Sequence, residues 1–291
     1  MYNVCALVTV YFPTQIAVRN ISILEGQVTY ILIIDNTPNI NNESLFLNNS
    51  GKVLYIANKI NYGISKAFNE GLKNDNVKKS DYVLFLDQDS LLTDDLIEKL
   101  IISYNRLLEN KIKIGCIGPI FYEKNADKVI IPNIKRKLFS SIYEVDYVMT
   151  SSMLTTYSAL SQINFWNENI FLDLADWDLC WRFNSIGLGC FVTKDAILNH
   201  ILGKSVKRIG PFSVKEGEAI RDYYQIRDCL KLLLKDYTPL RYKIRFILMI
   251  TIRSIIRIFI LPDKLLRIKY IFYGIVDFSR SINGPFDSTN K

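Results

Sequence analysis

The sequence contains little histidine and no paired cysteine motif. His200 is the only histidine among 291 residues, and the five cysteines are scattered without a CxxC spacing. Catalysis that needs two histidines is therefore excluded, and neither a disulfide framework nor a zinc site is expected. Unpaired cysteines favour a reducing, cytoplasmic setting. The amino-terminal MYNVCALVTVYF also lacks the basic region that is typical of a signal peptide.

Two phosphate-binding motifs and any long apolar run are missing as well. Neither GxGxxG nor GxxxxGK[ST] occurs, which argues against a dinucleotide fingerprint and a P-loop. Between the basic residues of the last fifth of the chain, the longest uncharged run is Phe246–Ile252. A run of this length is far short of the roughly 20 residues that span a bilayer.

Positive charge is concentrated in the last third of the chain. Residues 204–291 contain 18 Lys/Arg and 8 Asp/Glu, whereas residues 1–203 contain 18 and 21. Because the first part is neutral to acidic, no nucleic-acid partner is expected. Residues 236–291 are predicted to form a basic amphipathic helical tail at a membrane surface, with a core helix or a homodimer contact as the alternative. Its basic residues recur at multiples of four: Arg241, Arg245, Arg253 and Arg257.

Short apolar runs alternate with helical patterns in the first half of the chain. This alternation is typical of βαβ units and predicts an α/β fold over residues 1–235, with a mostly parallel Rossmann-like central sheet flanked by helices. Thr93 is the predicted N-cap of the second helix below. The predicted strands are Cys5–Tyr11, Tyr30–Ile34, Val53–Ile56, Tyr82–Leu86 and Gly115–Ile120, and the helices include Ile64–Lys73 and Asp94–Glu109.

Polar side chains follow each of the first four predicted strands. Ligands of open parallel sheets bind beyond the carboxyl ends of the strands, so these side chains are expected to share one site. They are Tyr11 after the first strand, Asp35 and Asn36 after the second, Asn58 and Asn61 after the third, and Asp87, Gln88 and Asp89 after the fourth.

Asp87 and Asp89 are the strongest metal-ligand candidates. Two carboxylates this close together are costly unless a cation or a proton lies between them. Mg²⁺ and Mn²⁺ prefer carboxylate oxygens together with substrate phosphates. A solvated turn that caps the next helix is the alternative for an isolated DxD, but the polar residues at the neighbouring strand ends favour the metal.

A second acidic cluster lies in FLDLADWDLCWRF, residues 171–183. A helix that begins near Asp176 would pair Asp178 with Arg182 at i,i+4. A carboxylate beside an acceptor hydroxyl is suited to act as its base, although surface acids on a helix would give the same pattern. YVMTSSMLTTY, residues 147–157, predicts a further strand. His200 is either a core histidine or a metal or diphosphate ligand.

The motif order closely resembles family 2 glycosyltransferases with the GT-A fold, and more narrowly the bacterial rhamnosyltransferases that use dTDP-L-rhamnose. The resemblance covers about residues 4–235. Ala175 departs from the Glu that many family 2 enzymes carry before the base, and the QxxRW motif of processive synthases is absent, which favours addition of a single sugar. The motifs are VTVYFP, IIDNTP, NYGISKAFNEG, FLDQDS, VMTSSMLTTY, FLDLADWDLCWR, LNHILGK and RDYYQIRD.

The resemblance implies a role for each matching position. Asp176 would be the general base of an inverting transfer, and Asp87 and Asp89, with His200, would bind Mg²⁺ or Mn²⁺. Thr150, Ser151, Ser152, Trp177, Asp178 and Arg182 would contact the sugar or the acceptor. The nucleotide-sugar would contact Thr9, Tyr11, Asp35, Asn36, Asn58, Asn61, Gly63, Lys66, Asn69 and Gln88.

The resemblance also implies substrates and a location. The expected donor is a dTDP- or UDP-sugar, with UDP-galactose, UDP-glucose, UDP-galactofuranose and UDP-N-acetylhexosamine left open beside dTDP-rhamnose. The expected acceptor is a polysaccharide or lipid-linked glycan at the inner face of the plasma membrane. Two other functions stay open. A sugar-phosphate nucleotidyltransferase should carry an early glycine-rich loop, which VTVYFPTQ does not supply, and a non-catalytic membrane-associated binding protein would keep the fold without turnover.

Overall fold

The strands of the protein belong to one large sheet and one hairpin. A computed structural model describes residues 2–47, 51–123, 128–200, 206–209, 212–215 and 217–288. The strands are β1 (Val4–Val10), β2 (Tyr30–Asp35), β3 (Val53–Ala57), β4 (Tyr82–Asp87), β5 (Ile114–Glu123), β6 (Lys128–Ile130), β7 (Ile134–Lys137), β8 (Ile142–Val145), β9 (Met153–Thr155), β10 (Gly189–His200), β11 (Val206–Ile209) and β12 (Phe212–Lys215).

Helices flank the sheet and make up most of the last quarter of the described chain. A short π-helix, Met249–Arg253, joins two of them without a break. The α-helices are α1 (Gln15–Glu25), α2 (Glu43–Phe46), α3 (Gly63–Leu72), α4 (Asp75–Lys78), α5 (Leu96–Glu109), α6 (Tyr157–Gln162), α7 (Ala175–Ser185), α8 (Ile220–Leu233), α9 (Leu240–Leu248), α10 (Ser254–Ile260) and α11 (Lys264–Ser279).

The large sheet is parallel in one half and mixed in the other. Its order is β3-β2-β1-β4-β9-β5-β10-β8-β7, with β6 on β5, and β11 pairs with β12 separately. The first four strands are parallel. Among the described strands beyond β4, β5 and β10 are the only parallel pair. Strand β9 lies antiparallel between β4 and β5. The α/β fold is confirmed, and the predicted parallel arrangement applies to the half of the sheet that contains β1 to β4.

The parallel half is buried on both faces. Cys5 and Leu7 of β1 pack in one apolar cluster with Phe68 of α3, whereas Val8 packs in another with Ile21 of α1. Successive side chains of a strand point to opposite faces, and helices on both faces are what an uninterrupted apolar strand requires. Because β1 is parallel to both β2 and β4, the carboxyl ends of the three strands lie at the same edge of the sheet.

Two local predictions differ from the structure. The second helix begins at Leu96, after Asp95, and Thr93 donates its hydroxyl to Asp95 Oδ1 at 3.0 Å instead of capping the helix. Of the strand predicted over residues 147–157, only Met153–Thr155 forms. The strand ends there because Thr156 caps α6, accepting a hydrogen bond from Ala159 N at 3.1 Å.

The arginines of the tail are divided between the protein interior and the surface, since Arg241 and Arg245 are exposed. Arg257 and Arg267 are buried and both pair with Asp222 at 2.6 Å. Tyr242 and Phe246 belong to the apolar cluster that contains Trp181. The outward side is apolar, with exposed Leu240, Ile244, Ile247, Ile252, Ile255 and Phe259.

The apolar side of the tail does not amount to a membrane span. Within the described residues, no helix combines the length and apolar content that crossing a bilayer requires.

Candidate active site

The acidic and polar strand ends meet where the strand order reverses. Strand β1 lies between β2 and β4, so Val10 pairs with Asp35 on one side and Thr9 pairs with Asp87 on the other. From β1 the chain proceeds to β2 and β3 on one side, and β4 then returns to the other side. Such a switch point leaves a crevice in which α/β proteins bind ligands. The predicted nucleotide and metal residues are thereby brought to one edge.

Asp87 and Asp89 form a like-charged pair at this edge. Asp87 is half-buried and accepts a hydrogen bond from Ser151 Oγ at 2.5 Å, whereas Asp89 is exposed. Burial raises the pKa of Asp87 to about 6, the Ser151 hydrogen bond opposes this, and the charge of Asp89 adds to it. A divalent cation would relieve both the burial and the repulsion, so this donor set fits Mg²⁺ or Mn²⁺.

Asp176 lies in the first turn of α7 and belongs to the same site. Burial raises the pKa of its carboxyl well above the usual value, and the charges of Asp87 and Asp173 contribute in the same direction. A hydrogen bond from Trp177 N, 2.9 Å long, opposes the increase. The two acidic clusters, nearly 90 residues apart in sequence, therefore interact electrostatically.

Asp178 and Arg182 form the predicted i,i+4 pair, but inside the protein. Asp178 accepts hydrogen bonds from Arg182 Nε at 2.7 Å and Tyr237 Oη at 2.6 Å. Arg182 also donates to the carbonyls of Ile163 and Phe165. Since residues two apart in a helix are rotated by about 200°, this pair lies on the side of α7 opposite Asp176. The structure does not bring Asp178 and Arg182 to the sugar or acceptor position predicted for them.

Asp35 is fully buried and its carboxylate is already hydrogen-bonded. Oδ1 accepts from Thr37 N at 2.7 Å, and Oδ2 accepts from Tyr55 Oη at 2.6 Å and Asn42 Nδ2 at 2.8 Å. These bonds hold the loop that follows β2 in place. Asp35 therefore shapes the predicted nucleotide edge from beneath.

An amide chain connects the strand ends to the turn before α3. Asn58 Nδ2 donates to Asn36 Oδ1 at 2.8 Å, and Asn36 Nδ2 donates to the Gly63 carbonyl at 3.1 Å. Gly63 N in turn donates to Asn61 Oδ1 at 3.0 Å. Lys66 lies over the Tyr62 ring at 4.3 Å. These predicted nucleotide-binding residues are thus brought together around one turn.

Gly63 is required by the geometry of that turn. Its φ is +76°, and an added Cβ would lie 2.4 Å from the Phe171 carbonyl oxygen. The same carbonyl accepts a hydrogen bond from Ile64 N at 2.9 Å. Only glycine adopts this conformation and approach without strain. The start of α3 is consequently held against the segment that leads into α7.

Two predicted nucleotide-binding side chains, Gln88 and Asn69, are engaged elsewhere. Gln88 bonds to both backbone groups of Tyr11, at 2.9 and 3.1 Å. Asn69 exchanges hydrogen bonds with the backbone of Trp166 at 2.9 and 3.0 Å. Both amides therefore connect segments of the protein to each other. Tyr11 itself is exposed at the edge, with its ring edge-on to Phe12.

The hydroxyl-rich segment lies behind the metal-ligand candidates. Ser151 contacts Asp87 as described, and Thr150 and Ser152 are buried beside it. Ser152 has a φ of +67°, and its N donates to the Phe85 carbonyl at 2.9 Å. The backbone of His200 ends β10, next to the bridge between Asn199 and Leu91. The side chain of His200 lies outside the described residues, so its predicted metal contact stays a prediction.

Sequence reasoning missed an aromatic and basic wall beside Asp176. The Trp177 ring lies 4.7 Å from Tyr147, and the Arg245 guanidinium lies 4.9 Å above Trp177. Asp173 is held by an ion pair with Arg221 and a hydrogen bond from Gln225 at 2.8 Å. No local motif connects the tail to this wall, because the contacts depend on how α8 and α9 pack.

Three of the five cysteines lie close together in the structure, although their positions in the sequence are scattered. The sulfur atoms of Cys116, Cys180 and Cys190 lie within 4.8 Å of one another, although they come from β5, α7 and β10. All three are buried. Burial raises the pKa of the Cys116 and Cys180 thiols well above the usual value. Cys116 of β5 and Cys180 of α7 are therefore neutral thiols where the helix packs on the sheet.

Comparison with known proteins identifies relatives of the chain. A model of the family described as "Glycosyl transferase family 2" matches residues 25–145. The dTDP-rhamnosyl transferase RfbF of Shigella flexneri is 27% identical over 298 residues, which cover 97% of each chain. The family resemblance inferred from the motifs is confirmed by these matches.

Solved structures share the fold at low sequence identity. TarS residues 1–349 from S. aureus, in complex with UDP-GlcNAc, gives a TM-score of 0.59 at 12% identity, covering 96% of this chain and 81% of that one. GalNAc-T7, crystallised with UDP, GalNAc and Mn²⁺, gives 0.54 at 11% identity. The chain spans 57% of that GalNAc-T7 chain and 49% of a longer TarS chain. These neighbours confirm the GT-A architecture.

Proposed function

We propose that the chain is a family 2 glycosyltransferase that transfers one L-rhamnose from dTDP-L-rhamnose to a hydroxyl of a cell-surface polysaccharide or lipid-linked oligosaccharide. The matches to the family model and to the relative from Shigella flexneri support this proposal. The observation that carries the proposal is the convergence of polar strand ends at the switch point, where Asp87 lies beside Thr9 of β1 and accepts a hydrogen bond from Ser151 at 2.5 Å. The charge of Asp87 also contributes to the raised pKa of Asp176. In the proposed reaction, Asp176 would act on the acceptor side of the reacting carbon and Asp87 on the donor side. The choice of donor is based on the relative from Shigella flexneri.

On the donor side, Asp87 and Asp89 would hold Mg²⁺ or Mn²⁺. When bound, the cation offsets negative charge on the leaving nucleoside diphosphate. Ser151 orients the Asp87 carboxylate through its 2.5 Å hydrogen bond. The turn at Gly63 presents the amino end of α3, where backbone N–H groups favour a phosphate, and Lys66 follows within the first helical turn.

On the acceptor side, Asp176 would remove the proton of the attacking hydroxyl. The hydroxyl oxygen forms a bond to the anomeric carbon while the bond from that carbon to the diphosphate oxygen breaks. The electron pair of the broken bond leaves with the nucleotide, and the proton stays on Asp176 until solvent takes it. Attack from the face opposite the leaving group inverts the anomeric configuration. A raised carboxyl pKa makes Asp176 a stronger base near neutral pH.

The tail would hold the enzyme against the inner face of the plasma membrane through its apolar side. The exposed residues of this side include Leu240, Ile244 and Phe259. Lys264 and Lys269 are exposed on α11, and basic residues beside an exposed apolar surface favour anionic lipid. Lipid-linked acceptors are then delivered at the surface where the enzyme lies. The alternative is a homodimer that forms through the same apolar side of the tail.

A donor panel tests the proposed reaction. The full chain is incubated with Mn²⁺ or Mg²⁺ and with dTDP-rhamnose, UDP-galactose, UDP-glucose, UDP-galactofuranose or UDP-N-acetylglucosamine, and dTDP or UDP release is measured with and without candidate acceptors. Acceptor-dependent release from dTDP-rhamnose alone, with an inverted linkage by NMR, is the expected result. Preference for a UDP-sugar would contradict the donor, and a retained configuration would contradict the role of Asp176.

A further inference from the structure

The thiols of Cys116, Cys180 and Cys190 form a group that has no role in the proposed transfer reaction. Their sulfur atoms lie within 4.8 Å of one another, and those of Cys116 and Cys180 are 3.8 Å apart. Strand β5, helix α7 and strand β10 contribute one cysteine each. The lack of a CxxC spacing in the sequence does not bear on this group, because the fold and not local spacing brings the sulfur atoms together.

The spacing of the three sulfur atoms suits one metal ion. Since all three lie within 4.8 Å of one another, a single point lies within about 2.8 Å of each sulfur, and zinc–sulfur bonds are about 2.3 Å long. A small inward movement of the side chains is then enough for coordination. Thiolates favour zinc and other soft ions, whereas Mg²⁺ and Mn²⁺ prefer oxygen ligands.

Hydrogen-bond donors surround the sulfur atoms, as they do around thiolate ligands. Val148 N donates to Cys180 Sγ at 3.3 Å, and Asn184 Nδ2 donates to Cys190 Sγ at 3.7 Å. The Asn184 amide is itself fixed, because Nδ2 also donates to the Cys180 carbonyl at 2.8 Å. Partners of this kind orient the ligands of a metal ion. The Val148 carbonyl oxygen, 3.8 Å from Cys180 Sγ, would offer a fourth ligand.

The charge of a bound ion could be balanced at this position. Lys135 Nζ donates to Asn184 Oδ1 at 2.8 Å, which places a cation behind the amide that contacts Cys190. Burial opposes ionisation of Cys190, but the Cys116 and Cys180 thiols and the charge of Lys135 lower the pKa of its thiol. The thiolate is the form that binds a metal ion.

We propose that Cys116, Cys180 and Cys190 bind one Zn²⁺ ion, which joins α7 to β5 and β10. Any proton still carried by the three thiols is released when the ion binds. Three thiolates and one divalent ion carry a single negative charge, and Lys135 offsets it.

The proposed ion would lie one helical turn from Asp176. Asp176 and Cys180 are four residues apart on α7 and therefore lie on the same side of the helix. Coordination of Cys180 would hold the turn that carries the base candidate against the sheet. This consequence rests on the proposed function, whereas the metal site itself does not.

Titration with Cd²⁺ tests the site, because bonds between cadmium and thiolate sulfur give an ultraviolet charge-transfer band that oxygen ligands do not give. The full chain is reduced with a phosphine, freed of metal with a chelator and kept in excess Mg²⁺ to fill the oxygen site. Cd²⁺ is added to the folded chain and also during refolding from urea, so that burial does not hide the thiols. The band should saturate at one equivalent of Cd²⁺, and Zn²⁺ should remove it and raise the Tm.

Four serine variants assign the band to the group. Cys116→Ser and Cys190→Ser should each lower Cd²⁺ affinity by more than the roughly 10–100-fold that loss of an orienting group costs. Neither variant should show the rise in Tm with Zn²⁺. Cys5→Ser and Cys229→Ser are matched controls, because both cysteines are buried in the same apolar cluster but lie outside the group. These controls should bind Cd²⁺ as the wild type does, and circular dichroism checks that every variant folds.

The outcomes separate the metal site from the proposed function. Absence of the band in the wild type, both folded and refolded, would overturn the site whatever the variants do. Unchanged affinity in Cys116→Ser or Cys190→Ser, or an equal loss in the two controls, would overturn it as well. No sugar donor or acceptor takes part in the titration, so a failure to transfer rhamnose would count against the proposed function alone.

Discussion

Asp176 and Asp178 lie two residues apart on α7 and face opposite environments. Asp176 shares a crevice with Asp87, and the carboxyl pKa of Asp176 is raised. Asp178 is fully buried, with Arg182 Nε at 2.7 Å and Tyr237 Oη at 2.6 Å. The same side-chain type therefore has a chemical role in one position and a structural role in the other, and substitution should separate them.

Asp176→Asn should lower kcat by about 10²–10⁴, the usual contribution of a general base, with dTDP affinity and thermal stability near those of the wild type. Asp178→Asn should leave kcat near that of the wild type and lower the stability of the protein. Loss of its charge leaves Arg182 without its partner, which costs about 3 kcal/mol in the free energy of unfolding. Transfer assays and urea unfolding on both variants check this; similar losses of stability would contradict the division of roles.

The pH dependence of transfer should have an acid limb above the range of an ordinary carboxylate. Only ionised Asp176 accepts a proton, so activity is present above its pKa and is lost as pH falls through it. Since burial and the charges of Asp87 and Asp173 raise that pKa, the limb should lie above about pH 4. Asp173→Asn removes one of these charges and should move the limb of kcat/KM to lower pH. A limb that stays in place would argue against Asp176 as the titrating base.

Ser151→Ala should weaken binding of the divalent cation. The Ser151 hydroxyl donates to Asp87 at 2.5 Å, and groups that orient a metal ligand typically contribute about 10–100-fold in metal affinity. Titration with Mn²⁺ monitored by electron paramagnetic resonance measures the change. Ser161→Ala is the control, because that hydroxyl donates only to the Ser158 carbonyl on the exposed side of α6. Equal affinity in both variants would mean that Ser151 does not serve the metal.

Gly63→Ala should impair both stability and donor binding. The added Cβ would lie 2.4 Å from the Phe171 carbonyl oxygen, in a backbone conformation of positive φ. Gly187→Ala is a matched control, since Gly187 also has a positive φ but an added methyl group there would have nothing within 4 Å. The control should cost only the conformational strain of about 1–2 kcal/mol. Urea unfolding and dTDP titration should show a larger loss of stability and of dTDP affinity in Gly63→Ala than in Gly187→Ala. Equal losses in the two variants would show that the clash with Phe171 is not the cause.

Phe259→Asp and Ile244→Asp should reduce sedimentation of the chain with anionic vesicles. Both side chains are exposed on the apolar side of the tail, at 71% and 53%, and a charge there opposes burial at the lipid interface. Leu108→Asp on α5, 50% exposed, is the control and should leave vesicle binding unchanged. If the tail variants instead leave vesicle binding unchanged and alter the oligomeric state in analytical ultracentrifugation, the apolar side is a homodimer contact and not a membrane-binding surface.

The predictions made from sequence succeeded where the cause was local. Tyr82–Leu86 was predicted as a strand and forms as Tyr82–Asp87, because a run of apolar β-formers is recognisable without its neighbours. The sequence also predicted that Asp87 follows this strand at the polar edge of a parallel sheet, and the structure places it beside Thr9 of β1. The pairing of Asp178 with Arg182 was predicted for the same reason, since helical spacing alone brings the two together.

Side-chain contacts over long sequence distances could not be predicted, because each side chain has more than one compatible partner. Gln88 and Asn69 bond to Tyr11 and Trp166, 77 and 97 residues away, and their nucleotide contacts stay predictions. The tail was predicted to lie at a membrane surface, with a core helix or a homodimer contact as the alternative, and the structure buries Arg257 while Arg241 and Arg245 are exposed. Its amphipathic pattern is the same whichever side faces in, and the ion pairs of Asp222 with Arg257 and Arg267 decide the orientation.

The α/β class, the strands of the first half and the two acidic clusters could be predicted from the sequence, since backbone preference and apolar patterns depend on neighbouring residues. Packing decides that Asp176 shares a crevice with Asp87 while Asp178 does not, and that three cysteines meet where α7 contacts the sheet. These relationships join residues far apart in the chain. They depend on which buried charges are paired, and that balance of desolvation and pairing is settled only when the helices pack.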